Sequence, residues 1–350
     1  MYIGKKFVQL LPESKHSALQ AGYINMENDQ HIKRKIRTIV ITGASSGAGR
    51  AIALAFARHG DHLVIASRNI AALEELASEC TMFGAEVKCI ACDTSHYHQV
   101  LNLASAAADG GEIDIWVNNA GVLAIGNFDQ TPMEVSEQVI RTNLLGYMHG
   151  AHAVLPYFKK QGYGILINNI SIGGFLPVPF GAGYSAAKFG LRGFSASLKS
   201  ELRSYPNIHV CDAFPGFLDT PGMQHAANYT GKVLKPGPLV YDPDRLANEI
   251  LKLSLNPRPE KMVGSFASLM RLSSALFPTL TTAIAGSIIR TYLKHTKAIP
   301  PTNGNIFCTV EYGNAVHGGW GIPGKPKAHR KYIALGAVIL LSALLIKKNS

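Results

Sequence analysis

Thr38-Ile39-Val40-Ile41-Thr42-Gly43-Ala44-Ser45-Ser46-Gly47-Ala48-Gly49 decides the fold. A β-branched apolar run passes without a break into a glycine-rich turn, and Ala48 to His59 then repeats apolar residues at helical spacing. Glycines at such a junction allow a tight turn and let backbone N–H groups approach a pyrophosphate, whose charge the N-terminus of the following helix stabilises. A glycine-rich turn alone says little; between a first strand and a first helix it is where that chemistry needs it.

Outward from this junction the same alternation continues. Leu63 to Ala66, Val87 to Ala91, Ile113 to Val117, Ile165 to Ile170 and Ile208 to Ala213 read as strands. Between them Ile70 to Phe83, Ser95 to Ala108, Met133 to Lys160 and Ala182 to Ser204 read as helices. Alternating β and α predicts an α/β fold, a doubly wound parallel sheet of the Rossmann type, with ligands beyond the carboxyl ends of its strands. Asp244 to Leu255 adds a helix and Pro259 to Gly264 a last strand. The expected organisation is an N-terminal extension (1–35), a catalytic domain (36–264) with a substrate loop (216–243), and a C-terminal helical extension with a Gly/Pro-rich arm (265–331).

After the second strand stands Ala66-Ser67-Arg68, where a carboxylate would hold a ribose 2′-OH. Arg68 offers a charged fork suited to a 2′-phosphate, so the expected cofactor is NADP(H). Further on, Tyr184-Ser185-Ala186-Ala187-Lys188 places a phenol and an ammonium on one helix face. A fixed positive charge lowers the pKa of a phenol that otherwise ionises near pH 10. Spacing alone proves nothing, since Tyr2 and Lys6 repeat it.

The Thr42–Gly49 turn, Asn118-Asn119-Ala120-Gly121, Asn143, Ser171, Tyr184 with Lys188, and Pro215-Gly216 follow in an order that resembles the short-chain dehydrogenase/reductase superfamily over Ile36 to Leu255. The resemblance implies Tyr184 as acid/base, Ser171 holding the substrate oxygen, Lys188 tuning the tyrosine and binding the nicotinamide ribose, and Asn143 supporting a proton relay. It implies cofactor contacts from Gly43, Ser45, Ser46, Gly47, Gly49, Arg68, Asp93, Asn119, Gly121, Tyr184, Lys188 and Thr220. Asp93 has a second reading as a helix cap, and Asn118 is expected to tie strands together. Asn168 departs from the family, which usually carries an apolar residue there. The expected reaction interconverts a ketone or aldehyde and an alcohol. A non-catalytic NADP(H) sensor, or a dehydratase or epimerase on the same fold, would share the turn.

Composition narrows the partners. Apolar residues make up 47% and charged residues 16%, which excludes a disordered chain. The net charge of +11 gathers in Lys33-Arg34-Lys35 with Arg37 and in Lys325 to Lys331, without a nucleic-acid-reading motif, so no nucleic acid is expected. Five scattered cysteines make no disulfide framework. Cys89 and Cys92 lie three apart in a strand and point to opposite faces, so no metal site is expected. Leu272, Leu276, Leu280, Ile284, Ile288 and Tyr292 mark an apolar helical stripe interrupted by Pro278, a surface for the domain, a homo-oligomer partner or a lipid-like substrate. Tyr332 to Ile346 is an uncharged run between lysines. As a terminal hydrophobic helix of about 22 Å against a hydrocarbon core of roughly 30 Å, it is expected to form a single-pass membrane anchor that leaves the catalytic domain in the cytoplasm.

Overall fold

The computed structural model describes residues 35–237 and 240–320. The chain divides into a short unit ending at Ile36 and a larger unit beginning at Arg37, to which everything below refers.

In chain order the elements are β1 (Thr38–Thr42), α1 (Gly47–Arg58), β2 (His62–Ser67), α2 (Ile70–Thr81), β3 (Val87–Ala91), α3 (Tyr97–Ala108), β4 (Ile115–Asn118) and the short β5 (Ala124–Ile125). Then come α4 (Met133–Ile140), a π-helical turn (Arg141–Leu145), α5 (Gly146–Gln161), β6 (Gly164–Asn169), α6 (Ala182–Glu201) and β7 (Ile208–Pro215). The short β8 (Ala227–Asn228), α7 (Pro243–Leu255), β9 (Glu260–Val263), α8 (Ser265–Leu276) and α9 (Pro278–His295) complete the series. Seven strands form one sheet in the order β3-β2-β1-β4-β6-β7-β9, with every pairing parallel. The order reverses between β1 and β4, so the loops leaving those strands diverge and open a crevice at their carboxyl ends.

Alternation along β1 builds the core on both faces. Ile39 and Ile41 pack with Ile52, Phe56, Leu73 and Leu246 on one side, while Val40 packs with Leu103, Trp116, Val154 and Phe158 on the other. All are essentially inaccessible to solvent, and each buried Ile, Leu or Phe contributes about 1.5–3 kcal/mol. A strand covered by helices on both faces needs apolar residues at every position, which is why β1 reads as a continuous run.

One detail departs from the sequence reading, and the break at Pro278 agrees with it. The helix expected over Met133 to Lys160 is two α-helices joined by the π-turn that carries Asn143. The stripe from Leu272 to Tyr292 is split between α8 and α9, because Pro278 lacks an N–H and starts the second helix instead of bending one. Leu272, Leu276 and Ile288 are exposed.

The expectation of a membrane anchor with a cytoplasmic catalytic domain is corrected. Among the described residues no helix is long and apolar enough to cross a membrane. The longest apolar candidate, α9, carries Arg290 and ends on Lys294 and His295. The run 332–346 and the terminal helix expected there lie outside the described residues.

Asn168 finds a structural explanation. It lies in the buried centre of the sheet, donating to Asp212 at 3.1 Å and accepting from Asn118 at 3.0 Å. Asp212 also accepts from Ser195 at 2.7 Å and Lys199 at 2.6 Å. A buried carboxylate with this many donors is costly to remove, because the donors lose their partner and stay buried. Asp212→Ala is expected to lower the unfolding free energy by about 3 kcal/mol in urea denaturation; a change below about 0.5 kcal/mol would mean that the network carries no stability.

Candidate active site

The crevice is built from the turn after β1. Gly43 has φ +66°, and a Cβ there would stand 2.6 Å from the Ala120 Cα. A Cβ at Gly49 would meet the Gly43 carbonyl oxygen at 2.1 Å and the Asn119 Nδ2 at 2.6 Å. Both positions therefore exclude a side chain, and the turn is held against the loop leaving β4. Ser46 precedes α1 in extended conformation, its hydroxyl making no capping bond, and the first turn of the helix has no acidic residue. The positive end of α1 thus keeps its affinity for an anion. Ser45 lies between the glycines, half-buried. Thr220 stands across from the turn, 3.1 Å from where a Gly47 Cβ would sit.

Asn119 fastens the strand ends together, donating to the carbonyls of Thr42 at 3.0 Å and Gly43 at 3.1 Å, and accepting from Asn169 at 2.9 Å. Asn118 accepts from Trp116 and donates to Tyr147 and Asn168, a strand tie as expected from its position. Gly121 lies against Asn143, whose carboxamide pairs with both the N–H and the carbonyl of Val122 at 2.8 Å. Asp93 spends one carboxylate oxygen on the backbone and hydroxyl of Ser95. Arg68 leaves β2 and points to the backbone carbonyls of Asn305 and Ile306.

The second half of the site comes from β6 and α6. Ser171 follows β6 with φ 103°, a conformation shared among described non-glycine residues only by Phe180. Such strain persists where the surroundings over-determine it, and here the Ser171 hydroxyl lies near enough to the Tyr184 phenol to lower its pKa. One turn along α6, the Lys188 ammonium lies 4.9 Å from the ring centre of Tyr147 and 5.7 Å from that of Tyr184. Burial pushes the Tyr184 phenol above its ordinary value, while the Ser171 hydroxyl lowers it; burial also pushes Lys188 down to about 7. Tyr184, Ser171, Lys188 and the π-turn of Asn143 thus converge at the carboxyl end of the sheet, beside the glycine turn. This is the sequence motif set assembled in space.

Residues 37–230 match the sequence profile of the family described as short chain dehydrogenase. The chain belongs to that family. It is similar to an uncharacterised oxidoreductase of Bacillus subtilis, 33% identical over 263 residues and 73% of each chain. It is also similar to the estradiol 17-beta-dehydrogenase 11 of Macaca fascicularis, 30% identical over 67% of this chain and 76% of that one. Among solved structures, an alcohol dehydrogenase from the archaeon Thermococcus sibiricus complexed with 5-hydroxy-NADP superposes with a TM-score of 0.57 at 30% identity, covering 65% of this chain and 96% of that one. As a family member the chain is an oxidoreductase with a Rossmann-type sheet.

Sequence reasoning missed two contributors. Tyr147, buried with its hydroxyl on the Asn169 carbonyl at 2.8 Å, forms the aromatic wall beside Lys188. The other is the segment from Thr302 to Trp320, whose Asn303-Gly304-Asn305 and Gly318-Gly319 are turn signals that a featureless arm would not need.

The Lys188 shift has a definite sign. A lysine with a depressed folded-state pKa binds fewer protons than in the unfolded chain, so its stability contribution rises with pH between about 7 and 10.5. The advantage of Lys188→Met over the wild type is expected to be largest at pH 6 and to shrink steadily toward pH 10, followed by chemical denaturation. A pH-independent difference would mean that Lys188 is not desolvated.

Proposed function

We propose that the protein is an NADP(H)-dependent oxidoreductase that interconverts a ketone or aldehyde and the corresponding alcohol on an apolar small molecule. The observation that carries this reading is the half-buried Tyr184 phenol, beside the Ser171 hydroxyl and one helical turn from the buried Lys188.

Bound cofactor would give or take the hydride, for which the chain has no group of its own. In reduction, Tyr184 releases its proton to the carbonyl oxygen; in oxidation it takes the proton back from the alcohol. Ser171 turns its hydroxyl to the same oxygen and stabilises the charge that develops there. Burial holds the Tyr184 pKa up, so the phenolate needs a neighbouring positive charge, and Lys188 provides it when protonated. Asn143 has its carboxamide committed to Val122, so its place in a proton relay is its main-chain carbonyl, acting through water.

The residues suit NADP(H). Ser45, Ser46, Gly47 and Gly49 would hold the pyrophosphate at the head of α1, and the Arg68 fork would take the 2′-phosphate where no carboxylate stands. Asp93 would lie toward the adenine, Asn119 and Gly121 along the cleft, and Thr220 at the carboxamide. That the archaeal alcohol dehydrogenase binds an NADP derivative supports the same choice. The small cavity beside Tyr184 has a mixed wall, Ala124, Phe128, Val139 and Phe180 together with Thr131 and Ser136; the apolar class of the substrate is supported instead by the exposed Leu272, Leu276 and Ile288 of α8 and α9 and by the likeness to an estradiol dehydrogenase. In this reading residues 36–264 are the catalytic domain, 216–243 its substrate loop and 265–331 an extension.

Turnover of a panel of apolar ketones and alcohols, followed by the absorbance of the reduced cofactor, tests the reading. Tyr184→Phe is expected to lower kcat by about 10²–10⁴-fold with NADPH binding retained; undiminished turnover would reject Tyr184 as the acid/base. Arg68→Ala is expected to reduce the preference for NADPH over NADH by about 10–100-fold, the worth of a hydrogen-bonded charge. An unchanged ratio in paired titrations would place 2′-phosphate recognition elsewhere.

A further inference from the structure

Donors that the glycine turn and β2 hold out to a dinucleotide are engaged by the chain itself. Arg68 donates through Nη1 to the Ile306 carbonyl at 3.1 Å and through Nη2 to the Asn305 carbonyl at 2.6 Å. The Gly47 N–H, at the head of α1, donates to the Ala315 carbonyl at 3.0 Å. Arg50 donates to the Asn314 carbonyl at 3.0 Å. Between these anchors Ile306 is completely buried, in an apolar cluster with Val122 and Val139 on which Tyr184 packs. One segment therefore runs from the arginine after β2 to the catalytic tyrosine and back to the glycine turn.

The segment is built into the fold. Thr302 bridges Asn228, and Ala298 bridges Lys232, in antiparallel fashion. Gly304 has φ +50°, and a Cβ there would stand 2.1 Å from the His225 carbonyl oxygen, so the strap lies flush on the substrate loop. Beyond it, the Gly318 N–H reaches the Asp219 carbonyl at 3.1 Å, and Trp320 donates from its ring to the Thr220 carbonyl at 3.1 Å.

We propose that residues 303–316 are an intrachain competitor of the dinucleotide, closing the cofactor cleft in the free protein and leaving Arg68 and Gly47 when NADP(H) binds. The inference rests on the NADP(H) reading above. A backbone N–H has one hydrogen, so the Gly47 amide serves either the Ala315 carbonyl or a phosphate oxygen. The Nη1 and Nη2 hydrogens that grip two carbonyls are the pair that would grip a 2′-phosphate. The exchange can run forward because the Gly47 N–H trades a neutral bond for a charge-assisted one roughly twice as strong, and Arg68 trades two neutral carbonyls for an opposite charge in fork geometry. It is opposed because the strap, being tethered, competes at high effective concentration. Apparent cofactor affinity is then the intrinsic affinity scaled by the fraction of molecules with the strap open.

Hydrogen exchange of the full chain, read by mass spectrometry with and without saturating NADPH, separates displacement from enclosure. Nucleotide is expected to slow exchange in the glycine turn while exchange in 303–316 speeds up. A second measurement titrates NADPH and NADH into the wild type and Ile306→Ala, which removes the side chain that seats the strap. Its dissociation constant for NADPH is expected to fall roughly 10-fold. Slower exchange in 303–316, or weaker binding by Ile306→Ala, would overturn the proposal and make the strap a wall of the loaded site. If Ile306→Ala does not fold, the exchange of the wild type decides alone. Binding by Ile306→Ala and not by the wild type is the same result in its strongest form. Failure of both proteins to bind either dinucleotide would defeat the NADP(H) reading itself, and the competitor with it.

Discussion

Three strand ends meet at one side-chain amide. Asn119 holds the carbonyls of Thr42 and Gly43 through its Nδ2 and accepts from Asn169 through its oxygen, so the exits of β1, β4 and β6 are fixed relative to one another. The glycine turn depends on this tie directly, because a Cβ on Gly49 would stand 2.6 Å from that nitrogen, so the position admits no side chain. Ser171 depends on it at one remove, two residues beyond Asn169 in the chain. A phosphate cradle and a hydroxyl donor, far apart in sequence, thus take their spacing from a residue that spends its amide hydrogens on backbone carbonyls and its oxygen on a second asparagine. The cost of withdrawing this carboxamide from water is offset by three hydrogen bonds within the chain.

The electrostatics of the site follow from dryness. Lys188 is buried and Tyr184 half-buried, and the loss of water moves each toward its neutral form, the phenol up and the ammonium down. Neither is poised for proton transfer alone. Each is the natural remedy for the other, since a phenolate and an ammonium in a low-dielectric pocket attract far more strongly than in water. Aromatic faces of Tyr147 and Tyr184 beside the ammonium add attraction without adding a counter-charge that would quench it.

The central strands were legible in the sequence because they are buried on both faces and read as apolar runs, as β1 does with the bounds its residues suggest; the edge strand β3, half-exposed, was legible from its alternation. The helix from Met133 was misjudged as continuous because a π-turn keeps helical spacing on both sides and changes only the backbone bonding at Arg141 to Leu145. Ser171, Tyr184 and Lys188 could be named from their order alone, but not the strained φ that aims Ser171, since serine carries no mark of positive φ. The strap escaped notice for a different reason. Glycine- and proline-rich sequence without periodicity reads as linker, and nothing local in Asn305 or Ala315 reveals that their carbonyls meet Arg68 and Gly47 more than two hundred residues earlier.

That separation orders events during synthesis. All seven strands of the main sheet are encoded before Val263, while the carbonyls that cover the cleft belong to residues beyond Asn303. A ribosome adding about 5–20 residues per second takes seconds to bridge that gap. The strands that form the crevice are therefore all translated before the residues that cover it.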